Sequence, residues 1–422
     1  MNKVGDMNKS VYERVKDAEQ MFGEYEITVN ELARTRSLRR RLEDDHMTVA
    51  VIGQFKRGKS ALVNRIIGSD MLPVGIVPVT AAVTMIDYGP EEKCSVHFSN
   101  GGVKEVSFEE LAAYVNEQEN PDNRLNVSRV EIKCPSPFLK NNLTLVDTPG
   151  VGSLHENNTK EAYSFATESD AVIFTFSVDS PLNRIETDFL LKAREYASRF
   201  YFAVNKADMI SESDLEAYLD YCRDFLPQLT GMDEVKLFAV SAKEGTGVEE
   251  LKAAVLNDMI TQRKKILEAS AELKLRDIVL SALSQIRLYR SALQMTGEEF
   301  EQKFAEIKDF FGKLHAEAEA LPAALKDNPM VCELHANDVR NRLAAKVREL
   351  FGIDYSYEID DVTDGGDDEK DIVLRVDEIC SDLLKTLDAV FMYREENTYV
   401  ISKRIYHLND MVRKLVRMRD GK

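Results

Sequence analysis

The chain has 422 residues, 44% of them hydrophobic, which is long for one domain and sufficient for two with real cores. Its 73 acidic against 55 basic residues leave a formal net charge of -18, which argues against nucleic acid and against broad attraction to an anionic membrane, leaving only local basic patches for such work. Five scattered cysteines without a CxxC pair suggest a reducing compartment, and the six histidines lack metal-ligand spacing. With no signal core and no apolar run approaching about 18 residues, the expected setting is cytoplasmic.

Residues 10–45 read as a charged helix, with Val11, Val15, Ala18 and Met21 at helical spacing. The arginines clustered in it, Arg34, Arg36, Arg39, Arg40 and Arg41, read either as a solvated face or as a patch for acidic lipid or a partner. From 47 to about 250 apolar strands alternate with amphipathic helices, the pattern of a mostly parallel sheet covered on both faces. Strands are expected near 47–52, 81–88, 129–133, 143–147, 171–176, 200–204 and 235–240. A hairpin is expected from Cys94, around a Ser-Asn-Gly-Gly turn, and a polar surface loop at 117–127. Beyond Gly247 the strand signals stop, and residues 251–422 read as an all-α bundle joined by the N-terminal segment 1–46. Thr296 and Glu299 resemble a capping box ahead of a stripe of Phe300, Phe304, Ile307, Phe311 and Leu314. A further helix is expected at about 331–350, closing near Gly352, another from about Asp371, and a last one carrying Ile401, Ile405, Leu408, Val412 and Leu415.

The stretch 49–60, VAVIGQFKRGKS, joins the first strand to a helix through a phosphate-binding loop. Gly53 and Gly58, with four residues between them, let successive amides curl around phosphate oxygens at a helix N-terminus. Gln54, Lys56, Arg57 and Ala61 complete this nucleotide-binding stretch. Lys59 would bridge the outer phosphates, and the Ser60 hydroxyl would hold magnesium. Strand 143–147 ends at Asp147 in Asp-Thr-Pro-Gly, where Asp147 can hold magnesium through water and the Gly150 amide can sense the terminal phosphate. Strand 200–204 leads into Asn205-Lys206-Ala207-Asp208. There the Asp208 carboxylate can accept both N1–H and N2–H of guanine, a donor pair adenine lacks. Asn205 would brace the O6/N7 side, the Lys206 stem would cover the ring, and in Ser241-Ala242-Lys243 the Ala242 amide would donate to O6. Thr80 is the candidate switch threonine for magnesium, and Val151 stands where small G proteins commonly place a water-orienting glutamine. Lys56 and Arg57 occupy the variable positions of the loop, where similar dimerising GTPases place a residue that stabilises transition-state charge, and the alternative is a pair of solvent-facing charges.

These motifs, in order over roughly residues 47–250, are those of regulatory GTPases, and GQFKRGKSALVNRIIGSDMLPVGIVPVTAAVT resembles the bacterial members of the dynamin family. The resemblance implies a P-loop GTPase domain with an elongated helical neck or stalk, hydrolysing GTP to GDP with magnesium. It also implies G-domain dimerisation across the nucleotide, a second dynamin-like partner, and membrane remodelling from the inner face of the cell membrane. Two stretches bear on the membrane. Residues 354–371, the expected tip, hold nine acids and one lysine besides Tyr355 and Tyr357, whereas residues 403–422 hold seven Lys/Arg against two acids. A soluble GTP-dependent switch or assembly factor docking a protein or ribonucleoprotein is the alternative.

Overall fold

The computed structural model describes residues 10–24, 28–74, 83–116, 119–120, 123–150, 167–326, 329–354, 372–394 and 398–419. They divide into two compact units, one built on Arg40–Lys274, the other combining Met1–Arg39, Leu275–Asp361 and Asp368–Lys422.

The first unit is a nine-stranded sheet in the order β4-β3-β5-β2-β6-β1-β7-β8-β9. Its strands are β1 Met47–Ile52, β2 Thr84–Tyr88, β3 Lys93–Phe98, β4 Val103–Val106, β5 Val127–Cys134, β6 Leu143–Asp147, β7 Ala171–Ser177, β8 Arg199–Asn205 and β9 Lys236–Ala239. Strands β6, β1, β7, β8 and β9 run parallel. β2 is antiparallel to β6, and the β3–β4 hairpin pairs onto β5 beyond it. The sequence therefore placed the strands well. It did not anticipate the short helix α4, Phe108–Val115, which Ser107 and Glu110 cap reciprocally.

Strand β1, MTVAVI, is buried on both faces, which explains why all its residues but Thr48 are apolar. Met47, Val49 and Val51 join one core with Leu62, Val63 and Ile66 of α3, Lys59–Ile67. Ala50 and Ile52 join the opposite core with Phe189 and Leu190 of α5, Arg184–Ala193, and Leu219, Cys222 and Leu226 of α6, Glu212–Thr230.

Helix α7 runs from Val248 to Gln294, and its first half belongs to this unit. The sequence ends the nucleotide domain near 250, but Leu251, Val255, Met259, Ile266 and Leu267 are buried in the same core as β1. Polar bonds fix the helix as well. Buried Asp258 accepts from Tyr201 Oη at 2.8 Å and from Lys236 Nζ at 2.8 Å. Further along, Asp170 Oδ1 receives Ser270 Oγ at 2.9 Å and Lys274 Nζ at 3.0 Å, while Oδ2 receives the Thr48 amide and Arg41 Nη2, both at 3.0 Å. Burial opposes the charge on Asp170, but Lys274, Arg41 and the Thr48 amide outweigh it and hold the carboxyl below its usual range.

The second unit is helical. The segment expected as one helix over 10–45 is two, α1 Val11–Gly23 and α2 Val29–Glu43. Ser10 and Glu13 form a capping box at the start of α1, and the Thr28 hydroxyl donates to Phe22 O at 2.9 Å. α1 buries Val15, Ala18, Met21 and Phe22, and Arg14 Nη2 donates to Met418 O at the far end of the chain. Of the arginine cluster, Arg36 and Arg40 are exposed as a solvated face requires, whereas the other three are half-buried and engaged in ion pairs. Arg34 binds Asp277 and Arg39 binds Glu19, both at 2.6 Å, and Arg41 binds Asp170 in the first unit's own network.

Thr296 caps α8, Gly297–Glu319, by accepting the Glu299 amide, and the helix buries Phe300, Ile307, Phe311 and Leu314. The short α9, Ala323–Lys326, leads to α10, Pro329–Phe351, α11, Ile372–Arg394, and α12, Thr398–Arg419. Leu408, Met411 and Leu415 make the buried stripe of α12. Tyr355 and Tyr357 and most of the acidic stretch lie outside the described residues. Among the described residues no helix is long and apolar enough to cross a membrane.

Candidate functional site

Because β1 lies between β6 and β7, with β8 next, the loops following β1, β6 and β8 gather at one edge of the sheet. The carboxyl ends of strands in an open parallel sheet are where such folds bind ligands. Two glycines shape the first loop. A Cβ on Gly53, at φ 152°, would stand 2.1 Å from Thr175 O, and one on Gly58, at φ 84°, would stand 2.4 Å from Asn205 Nδ2. Only glycine lets the loop approach β7 and the base-side loop so closely. Gly58 is also the N-cap of α3 and supplies no side chain to its amides, as a phosphate-accepting helix start requires. Ala61, in the first turn, is partly buried against the core.

Lys59 is 7% exposed, and its ammonium donates to Gln54 O at 3.4 Å. Burial pulls its pKa down to about 8, against the opposing pull of Asp147 and Glu186. Ser60 Oγ donates to Asp147 Oδ2 at 2.6 Å, while Asp147 Oδ1 is buried without a hydrogen-bond partner. Burial pushes Asp147 up to about 6, with Lys59 and Ser60 working against it. A hard dication on oxygen ligands satisfies such an orphaned carboxylate oxygen, so Ser60 and Asp147 fit magnesium. Thr148 Oγ1 donates to Val51 O at 2.9 Å, and a Cβ on Gly150 would meet Phe55 N and Cα at 2.8 Å, so the Asp-Thr-Pro-Gly turn lies against the phosphate loop. Thr80 and Val151 lie outside the described residues.

These two groups set opposite limbs of a pH profile. Below about pH 6 Asp147 takes up a proton that a bound magnesium would have to displace, and above about pH 8 Lys59 loses the charge that would attract a phosphate. The expected kcat/KM for a guanine nucleotide with magnesium is a bell between those limits, falling about tenfold per unit outside them. Asp147→Asn should erase the acid limb, and a profile from pH 5 to 9 checks it.

On the base side, Asn205 ties three loops together. Its Nδ2 donates to Arg57 O at 2.8 Å, and its Oδ1 accepts the Ala242 amide at 3.0 Å. The sequence reading aimed that amide at guanine O6; here it is occupied by Asn205. Exposed Asp208 is oriented by Ser241, whose hydroxyl donates to Oδ1 at 2.6 Å. Lys206 adopts φ 60°, and its ammonium pairs with Asp179 at 2.7 Å. Arg65 of α3 donates to Ala242 O at 2.9 Å and Lys243 O at 2.8 Å, fixing the Ser-Ala-Lys turn from beneath.

The two candidate transition-state charges separate. Lys56 is exposed at φ 68°, with its ammonium 5.3 Å from the centre of the Phe55 ring. Arg57 is neither a free charge nor solvent-facing, because it is 3% exposed and forks onto Glu186 at 2.8 and 2.7 Å. Gln54 also turns toward α5, its Oε1 accepting from Asn183 Nδ2 at 2.7 Å. The sequence reading missed Glu186, Asn183 and Asn64. Asn183 and Glu186 cap α5 reciprocally, and their spacing ahead of Phe189 and Leu190 was the available signal. Asn64 exchanges hydrogen bonds with the backbone of Leu72, at 2.8 and 2.9 Å, and so holds the chain leaving α3.

Residues 49–208 match the Dynamin family model. An uncharacterized protein in the xynA 3' region of Caldicellulosiruptor sp. (strain Rt8B.4) is 39% identical over 207 residues, covering 49% of this chain and 52% of its own. Dynamin-like protein 2 of Campylobacter jejuni (strain 81-176) is 31% identical over 225 residues, covering 52% of this chain and 35% of its own. The chain thus spans about a third to a half of the length of these curated relatives. A solved structure of an oligomerised bacterial dynamin pair, described as a mechanism for long range sensing and tethering of membranes, aligns at 16% identity and a TM-score of 0.46. That alignment covers 97% of this chain and 72% of its own.

Proposed function

We propose that this chain, whose residues 49–208 match the Dynamin family model, is a dynamin-family GTPase that binds GTP with magnesium and hydrolyses it to GDP and phosphate. The observation that carries this reading is the base-side frame, with Asn205 braced between Arg57 O and the Ala242 amide and Asp208 oriented by Ser241. A carboxylate so held accepts two donors from guanine and meets no such pair on adenine. Lys59 brings a cation to the outer phosphates, and the capless start of α3 offers amides to them. Magnesium, when bound, neutralises phosphate charge, and Ser60, Asp147 and Thr80 are the residues proposed to hold it. Equilibrium binding of GTP, GDP and ATP to the full chain tests the reading, and equal affinity for ATP would refute it.

Hydrolysis is proposed to proceed through self-association of G domains. Val151 has no group to orient water, and Lys56 is an exposed cation at the tip of the phosphate loop, so a second copy supplies what one lacks. The expected result is a specific activity that rises with protein concentration, with Lys56→Ala lowering kcat more than GTP affinity. A flat rate in a sample that stays monomeric with a transition-state analogue would sink this step.

Coupling of hydrolysis to the helical unit, and through it to peripheral membrane lipid and a second dynamin-like protein, is the family-based extension of this reading. The nine acids within 354–371 favour a second one, a soluble GTP-dependent switch docking a protein or ribonucleoprotein. Co-sedimentation with anionic vesicles, with and without a GTP analogue, separates them.

A further inference from the structure

We propose that Arg57 is a positioning residue, whose buried fork on Glu186 holds the phosphate loop and the base-recognition loop in the geometry that receives the nucleotide. The proposal rests on the nucleotide-binding reading above and assigns Arg57 a part in it different from a charge delivered to the reacting phosphate.

The Arg57 side chain is held on every nitrogen. Nε and Nη2 donate to the two Glu186 oxygens, Nη1 donates to Ser177 Oγ and Ser180 O at 3.0 Å each, and Nη2 also reaches Gln54 Oε1 and Pro181 O at 3.4 Å. Glu186 is fully buried, and its Oε2 also accepts the Asn183 amide at 3.1 Å as part of the α5 cap. A planar guanidinium satisfies this set; a lysine ammonium, with three donors and no fork, cannot.

The backbone of the same residue faces the other way. Arg57 O accepts Asn205 Nδ2, and Gly58, next in the chain, lies so close to Asn205 that a Cβ would collide with it. The segment that holds the guanidinium also contains Asp179, which pairs with Lys206 beside Asp208. The phosphate loop and the base loop therefore share one brace, with Arg57 at its centre. For the guanidinium to reach a neighbouring molecule it would have to abandon Glu186 and leave a buried carboxylate without its cation, which is strongly unfavourable.

The test compares the full chain with Arg57→Lys and Glu186→Gln by GDP and GTP equilibrium binding and by steady-state hydrolysis, with far-UV circular dichroism to establish folding. Loss of the fork leaves the receiving geometry only fractionally populated, and apparent affinity falls by that fraction, about 10- to 100-fold for one charge-assisted bond. GDP and GTP affinity should fall together by that factor in both variants, KM should rise in parallel, and kcat at saturating GTP should stay within about threefold. Glu186→Gln preserves shape and answers the question if Arg57→Lys folds poorly. Folded variants that bind GDP as the unaltered protein does would overturn the proposal, as would a kcat loss with GDP affinity intact, which would move Arg57 to the reacting centre. Failure of the unaltered protein to bind GDP would instead remove the nucleotide reading itself.

Discussion

Lys59→Ala should reduce GTP hydrolysis by about 10²- to 10³-fold or more at saturating substrate, the cost of removing one preorganised group that stabilises developing charge in a water-poor site. The side chain is buried and tethered to Gln54 O, so it is already aimed before any phosphate arrives and needs no reorganisation to act. A second effect adds to the first. Lys59 opposes the upward push of burial on Asp147, so its loss should raise that carboxyl further and weaken magnesium binding at neutral pH. Lys59→Arg should not restore the rate, since the larger fork does not fit a position nine-tenths enclosed. Phosphate release under multiple turnover checks both variants. Undiminished turnover in Lys59→Ala would mean that this loop is not the seat of hydrolysis.

Asp208→Asn should exchange guanosine for xanthosine triphosphate as the preferred nucleotide. A carboxylate can accept from N1–H and N2–H of guanine, whereas an amide presents a donor where xanthine carries a 2-oxo group. Because Asp208 is exposed, the change in preference should match the one charge-assisted contact exchanged, about 10- to 100-fold. Ser241 should still orient the substituted side chain, since its hydroxyl can donate to the amide oxygen as it does to Oδ1. Competition of both triphosphates for the protein measures the ratio, and an unchanged preference would remove Asp208 from base recognition.

What could be read from the sequence follows from how locally each feature is encoded. β1 and β6 were located to the residue, because strands buried on both faces show as short, mainly apolar runs, here MTVAVI and LTLVD. The phosphate loop and the Asn205 and Asp208 pair are likewise short motifs with fixed spacing. Features that depend on distant partners were not legible. Whether Arg57 faces solvent or Glu186 is decided by a residue 129 positions away, and Arg41 meets Asp170 at the same separation. The division of the N-terminal segment into α1 and α2 was hidden too, since its polar and apolar positions keep helical spacing through the break.

The Asp170 network also sets how far the nucleotide half can be trimmed. A fragment cut at the borders the motifs suggest, 47–250, would lose Arg41, Ser270 and Lys274 together and keep only the Thr48 amide beside a buried carboxylate. It would also delete Asp258 and leave Tyr201 and Lys236 without their shared acceptor. The cut also removes Leu251, Val255, Met259, Ile266 and Leu267 from the core, and at about 1.5–3 kcal/mol for each buried side chain that loss is comparable to a typical domain's whole stability. A fragment spanning 40–274 keeps both networks whole, and chimaeras that graft this nucleotide half onto another helical body should exchange sequence at those two borders.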